Sequence, residues 1–405
     1  MFKRLTNKWM ILPMLLLIIA SLVLASCSST ATTTPATTAP TTTAVKTTPA
    51  TSAPIVTTNP VVTTAAPTIT AATTVPVYQA SSLNGAGATA PQPLYTKWFD
   101  AYYQKTGVQI NYQGVGSGAG INQITAGTVD FGASDGIMTD DQVAAAVAKG
   151  GPILHIPTTG VAAAIIYNIK GVDSGKLKLT GDVLANIFLK KITKWSDPAI
   201  TALNPGLALP DAAIAVVHRS DSSGTTYIFT NYLSKVSDAW KNGPGNANSV
   251  TWPGDIGGSG NAGVAGAVQG QPNSIGYVEL AYAIQNSLPF ASLKNAAGNY
   301  ELPSIDGTTK ATIGVTLPAD MKIMITNSTN KDAYPIAGFT WILAFVNQTD
   351  QLKGQALANM LWWAIHDGQQ YAAPLTYAAL SPAAVTIAEK QILTLNYKGK
   401  TFITR

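Results

Sequence analysis

The chain has 405 residues, 46% hydrophobic and only 11% charged, with 35 glycines, one cysteine and a formal net charge of +5. Three of its 25 basic residues, Lys3, Arg4 and Lys8, stand at the N-terminus, so the remainder is near neutral and holds no Lys/Arg cluster. That excludes a nucleic-acid footprint, and a single cysteine excludes an intrachain disulfide framework.

The basic start runs into a nearly all-apolar stretch, residues 9–24, and then into small residues, the layout of an export signal. On the residues alone, a plain secretory signal and an uncleaved transmembrane helix of marginal length are the alternatives. The stretch ends in Leu24-Ala-Ser-Cys27, which resembles a bacterial lipoprotein signal. The resemblance implies a signal peptide over residues 1–27, a lipid on Cys27, and a chain anchored at the extracytoplasmic face of a membrane, at the cell surface or in a periplasm. Residues 28–80 are mostly Thr, Ala, Pro, Ser and Val, and Lys46 is their only charge. They have no helical or strand period and too little apolar surface to fold, so a disordered tether is expected. Fully extended it reaches roughly 170 Å, at ~3.3 Å per residue.

Folding is expected to begin near Ser82. Leu83-Asn-Gly-Ala-Gly-Ala-Thr-Ala-Pro91 reads as a small-residue loop. It opens a helix with Leu94, Trp98, Phe99 and Tyr102 on one face and Gly107 as its stop. The glycine pattern mimics a dinucleotide fingerprint, but no strand is expected before it and no acidic partner follows at the right distance. Residues 108–112 alternate as a strand does. Gly114-Val-Gly-Ser-Gly-Ala-Gly120 then leads into a helix around residues 121–126. A short strand over 129–135 ends on Asp135, and Thr139 caps an alanine-rich helix up to Gly150. Two apolar runs, 153–156 and 161–167, are separated by Pro157-Thr-Thr-Gly160, a break that suits a crossing between lobes. An amphipathic helix follows, with Val183, Leu184, Ile187 and Phe188 on its apolar face.

Residues 214–217 read as a strand, and Tyr227, Ile228, Tyr232, Leu233 and Val236 recur at helical spacing. A glycine-rich loop, Gly254-Asp-Ile-Gly-Gly-Ser-Gly260, precedes a small-residue helix at 262–268. A strand is expected at 275–278, with a helix from about 279. Residues 285–325 look irregular. An apolar strand at 339–346 is a candidate return crossing, and helices at 352–366 and 383–393 close the chain. Strands alternating with helices make the class α/β.

The chemistry concentrates in Arg219-Ser-Asp-Ser-Ser-Gly-Thr225, between a strand and a helix. Free N–H groups and the positive dipole end at a helix start suit an anion. Arg219 adds a planar fork of donors that matches an oxyanion. The ordinary alternative is a Ser/Asp cap beside a surface arginine. No G-x-S-x-G and no Walker loop occurs, and His155, His218 and His366 show no metal-ligand spacing. No catalytic set, metal or cofactor is therefore expected.

Taken together, three segments resemble the PstS family, the phosphate-binding protein of the high-affinity phosphate ABC transporter. They are Gly85-Ala-Gly-Ala-Thr-Ala-Pro91, the stretch from Tyr112-Gln-Gly-Val-Gly-Ser-Gly118 to Val129-Asp-Phe-Gly-Ala-Ser-Asp135, and Arg219-Ser-Asp-Ser-Ser-Gly-Thr225. Lys194-Trp195, Asn204-Pro-Gly206, Ile275-Gly-Tyr-Val-Glu279 and Tyr282-Ala283 extend the match. The resemblance implies a type II periplasmic binding protein fold, two lobes joined by crossing strands with the ligand cleft between them. One lobe would comprise 82–157 plus 334–405, the other 158–333. Phosphate would be held by Thr89, Ala90, Ser117, Asp135, Arg219, Ser223, Gly224 and Thr225, with Asp221 orienting the arginine. The implied function is capture of inorganic phosphate by a monomer and delivery to the permease subunits. Ala90 replaces a common phenylalanine, and Ser222 a common glycine. A binder of another tetrahedral oxyanion, sulfate or molybdate, and a phosphatase-type hydrolase are the alternatives. Asp135 fits phosphate best, since a carboxylate facing an anion is tolerable only if the anion brings a proton.

Overall fold

The computed structural model describes residues 79–254 and 256–404. The expected signal peptide, its Cys27 and the tether up to residue 78 lie outside the described residues. Gln79 and Ala80 already belong to the fold, which corrects the expected end of the tether at 80. Ala80 N–H bonds to the Leu352 carbonyl at 3.0 Å, and Asn359 donates to Gln79 at 2.7 Å.

The first unit is β1 (Ser82–Gly87), α1 (Gln92–Thr106), β2 (Gln109–Gly114), α2 (Ser117–Ala126) and β3 (Phe131–Ser134). Then come α3 (Asp140–Gly150) and the long β4 (Ile153–Asn168). The short β5 (Lys178–Leu179), α4 (Gly181–Phe188) and α5 (Pro198–Thr201) follow. The second unit is β6 (Ala215–Arg219), α6 (Gly224–Val236), α7 (Asp238–Lys241), β7 (Ile256–Gly258), α8 (Gly260–Gly270) and β8 (Ser274–Glu279). After it lie α9 (Leu280–Gln285), β9 (Ser292–Lys294), β10 (Tyr300–Glu301) and α10 (Ile305–Lys310). The chain closes with β11 (Ala337–Phe345), α11 (Gln351–Ile365), α12 (Pro382–Ile392), β12 (Asn396–Tyr397) and β13 (Lys400–Thr401).

The main sheet has the order β2-β1-β3-β11-β4-β8-β6-β7. Both units thus have one arrangement: the first strand is central, the second outer, the third inner. All pairs within each unit are parallel. The two units are bridged by antiparallel β11 and β4. Strand β4 pairs with β11 up to Ala162 and with β8 from Ala163 onward. Every residue of β4 except Leu154 and Asn168 is buried, as expected of a strand covered on both faces.

Four expectations change. The break at 157–160 is no break: β4 runs straight through it. Its pairing to β11 shifts register between Thr340 and Trp341, so Thr158 is an extra residue, and the proline without an N–H is absorbed at the irregularity. The expected loop over 83–91 begins as strand β1. Its glycines look like turn residues, but a Cβ at Gly85 would run into the Phe131 ring, and one at Gly87 into the Ala133 backbone. They are there because β3 approaches so closely. The loop at 254–260 likewise contains β7, an edge strand held only by its parallel pairing with β6. The stretch 285–325 carries β9, β10 and α10 rather than no structure.

The helices follow their local signals. Thr139 and Gln142 form a reciprocal capping box on α3, and Gly107 ends α1 in the left-handed region at φ 74°. Helix α1 buries Leu94, Tyr95, Trp98, Phe99 and Tyr102, the face its spacing predicts.

Candidate functional site

In parallel units the strand carboxyl ends point the same way, and the loops there form the binding edge of an α/β sheet. Here the loops after β1, β2 and β3 meet those after β6, β7 and β8. Gly118 N–H bonds to the Ser222 carbonyl at 3.0 Å, and Gly224 N–H to Ser117 Oγ at 3.0 Å. Asn261 Nδ2 donates to Thr89 Oγ1 at 2.8 Å. All eight residues expected to touch the ligand gather at this junction, and all are buried.

Arg219 ends β6 and is 3% exposed. Its Nε and Nη2 donate to the two oxygens of Asp221 at 2.8 and 2.5 Å, a bidentate pair. Its Nη1 is buried with no partner. Burial alone would raise the Asp221 carboxyl. The Arg219 fork and charge, with the Gly260 N–H at 2.9 Å, hold it below its usual range instead. Asp221 thereby fixes the guanidinium plane and leaves one edge of it available.

Asp135 follows β3 and is 1% exposed. Neither carboxylate oxygen closes a hydrogen bond. Burial pushes it up to about 6, and the Thr340 hydroxyl, the Arg219 charge and the Thr225 hydroxyl keep it from rising further. A buried acceptor without a donor costs free energy.

The hydroxyls of Thr89, Ser117, Ser223 and Thr225 are used as acceptors by N–H groups. Ser117 Oγ accepts from Gly224 at 3.0 Å and Asp135 at 3.2 Å. Ser223 Oγ caps α6 by accepting from Thr226 N–H at 3.1 Å. Thr89 and Thr225 accept from Asn261. Gly224 must be glycine, because a Cβ would stand 2.5 Å from Ser117 Oγ and 2.6 Å from Asp135 N. At the departure Ser222, the hydroxyl occupies the space beside Gly118 that any side chain there would need. At the departure Ala90, the carbonyl accepts from Tyr377 Oη at 2.7 Å, while Tyr282 Oη donates to the Thr89 carbonyl at 2.7 Å.

Three groups at the junction were not foreseen. Thr340 brings a buried hydroxyl from the β11 irregularity. Glu279 caps α9 through the Ala281 N–H at 2.8 Å, and burial pushes its carboxyl well above the ordinary range. Asn261, fully buried, opens α8. Its signal was the repeat of one β-α-β-α-β arrangement, in which the start of α8 corresponds to the start of α2, where Ser117 stands. His218, beside Arg219, stacks on Trp252 at 4.9 Å and bonds to the Arg219 carbonyl at 3.0 Å. A cavity of about 130 Å³ runs past Thr89, Asp221, Asn261 and Tyr282. A larger groove of about 460 Å³, between Tyr102, Trp362 and His366, lies away from these residues.

Two parallel units bridged by antiparallel strands, with polar loops meeting at their strand ends, define a class of binding protein. The PBP superfamily domain matches residues 33–359 of this chain. A phosphate-binding protein PstS of Xylella fastidiosa (strain Temecula1) is 44% identical over 305 residues, 75% of this chain and 82% of the relative. One from Haemophilus influenzae is 42% identical over 320 residues, 78% of this chain and 94% of the relative. This chain belongs to the PstS family of phosphate-binding proteins. Its fold is that of the type II binding proteins. A subatomic-resolution structure of a high-affinity periplasmic phosphate-binding protein with phosphate bound aligns with a TM-score of 0.62 at 20% identity. That alignment covers 79% of this chain and 99% of the other.

Proposed function

We propose that this chain captures inorganic phosphate outside the cytoplasm and delivers it to the permease subunits of an ABC transporter. The reading is carried by one observation. Buried Arg219 Nη1 and both oxygens of buried Asp135 lack partners, at a junction where the hydroxyls of Thr89, Ser117, Ser223 and Thr225 each accept from an N–H group. Such a pocket offers donors to an oxyanion and one acceptor for a proton on it. Protonated phosphate has both features, and sulfate at neutral pH has no proton. The names of the relatives point the same way. Thr89, Ala90, Ser117, Asp135, Arg219, Ser223, Gly224 and Thr225 hold the anion, and Asp221 orients Arg219.

Residues 82–157 with 334–405 act as one lobe and 158–333 as the other, closing about β4 and β11. Cys27 carries the lipid that keeps the protein at the membrane, and residues 28–78 serve as its tether. The protein acts as a binder, not an enzyme. Among the described residues no helix is long and apolar enough to cross a membrane. Equilibrium binding of phosphate with sulfate as competitor tests the reading. Tight phosphate binding that excess sulfate does not displace is expected, and equal binding of the two would overturn it.

A further inference from the structure

We propose that Asn261 is a positioning residue that aims the Thr89 hydroxyl as a donor at the bound anion and turns the Thr225 hydroxyl away from itself, toward the side of the pocket where Asp135 and the anion lie. The proposal rests on the phosphate reading above and deepens it. An anion offers only acceptors. A hydroxyl carries one proton and two lone pairs, and it can rotate. It helps an anion only when its proton points there, and something else must occupy its lone pairs.

Asn261 does that for two hydroxyls at once. Its Oδ1 accepts the Glu279 N–H at 2.8 Å. This contact settles which end of the amide faces which way, because only the oxygen can accept from a backbone N–H. The Nδ2 end then donates to Thr89 Oγ1 at 2.8 Å and to Thr225 Oγ1 at 3.2 Å. The Asn261 backbone N–H adds a second donor to Thr89 Oγ1 at 3.3 Å. Thr89 Oγ1 thus has both lone pairs engaged, and its proton is the only capacity left. Thr225 Oγ1 has one lone pair engaged and lies beside the Asp135 carboxylate.

The first unit uses the same device. Ser117, at the start of α2, accepts from two N–H groups and keeps only its proton. Asn261, at the start of α8, serves hydroxyls that come from both units. Being neutral, it does so without adding charge to the pocket. An aspartate of the same shape would reverse the arrangement, drawing both protons to itself.

The test is calorimetric titration of the purified full chain with phosphate. The variants are N261D, and the neutral N261A and N261L, the last two also placed in a T89A/T225A background. N261D should weaken binding ~100-fold or more, and the neutral changes by ~10-fold or more, as for buried partners left unpaired or reversed. In the T89A/T225A background the neutral changes should cost only about threefold or less, because the groups they act through are gone. N261L is close to the wild-type side chain in volume, so it carries the cycle if N261A folds poorly. N261D binding within about threefold of wild type, or effects of the neutral changes at full size without the two hydroxyls, would overturn the proposal. If the wild-type chain does not bind phosphate, the reading of the site fails first.

Discussion

Arg219 and Asp135 bring opposite charges into one buried pocket, and their neighbours decide what each can do. Asp221 takes the Nε–Nη2 edge of the guanidinium, and Nη1 is left without a partner. Arg219→Ala should therefore weaken phosphate binding by roughly 2–5 kcal/mol, since it removes the cation and strands Asp221 without its partner. An unchanged dissociation constant by calorimetry would place the anion elsewhere. On the proposed reading, Asp135 acts by exclusion: as a carboxylate it would accept a proton from phosphate and repel sulfate, a discrimination of ~10⁴-fold in sites of this kind. Asp135→Asn supplies N–H donors, so it should admit sulfate while costing phosphate less than the Arg219 change does. The pH dependence has a definite sign. Burial raises Asp135 to about 6, so it gains a proton as pH falls through that value and becomes a donor itself. Wild-type protein should then exclude sulfate at pH 7.5 and admit it increasingly below ~6, while the Asn variant shows no such step. Competition titrations at several pH values read both effects, and a pH-independent wild type would clear Asp135 of the role.

At the scale of elements, the pocket is a meeting of helix starts. Helices α2 and α6 begin against each other, and the absence of a side chain at position 224 sets their spacing. Gly224→Ala would push a methyl against Ser117 Oγ and Asp135 N, both on the far side of the proposed cleft. The clash exists only when the two units are together. Phosphate affinity should fall by ~10-fold or more, while the melting temperature without ligand changes little, the usual cost of overpacking being ~1–3 kcal/mol. A lower melting temperature with unaltered affinity would mean that the contact belongs to the resting fold. The bulged residue Thr158 on β4 has a matching role. Its hydroxyl meets Tyr95 Oη at 2.8 Å and donates to the Thr340 carbonyl at 3.2 Å, which ties the irregularity to α1.

For the whole molecule, two strands alone carry the main sheet from one unit to the other. A connection that narrow suits a hinge. The contacts Gly118–Ser222, Ser117–Gly224 and Thr89–Asn261 all link the proposed lobes, and each lies at the anion pocket. Phosphate should therefore draw the lobes together. Small-angle scattering is expected to give a smaller radius of gyration with phosphate, and hydrogen exchange should slow in the loops after β1, β2 and β6. Identical curves and exchange rates in both states would indicate a rigid, preformed pocket.

Local signals carried much of this protein. The α/β class, nearly every long helix, the caps at Thr139 and Gly107, and the loop from Arg219 to Thr225 were legible because each depends on residues close together in the chain. The resemblance to a family also named eight small or charged residues that the fold brings to one junction. Other features depend on partners distant in sequence. Strand β1 forms from residues with little strand preference because β2 and β3 flank it in parallel, and its glycines answer to Phe131 and Ala133. Strand β4 continues through Pro157 because β11 supplies a compensating shift. Asn261 falls between the expected loop at 254–260 and the expected helix at 262–268, and no local pattern marks it. Only folding places its amide between Thr89, Thr225 and Glu279, since hydrogen bonds that set a hydroxyl's proton come from whatever the tertiary structure brings within 3 Å or so. The sequence by itself determined which chemical groups the pocket contains. The tertiary structure decided which of them would be donors, because in a buried pocket that depends on where every other lone pair is already engaged.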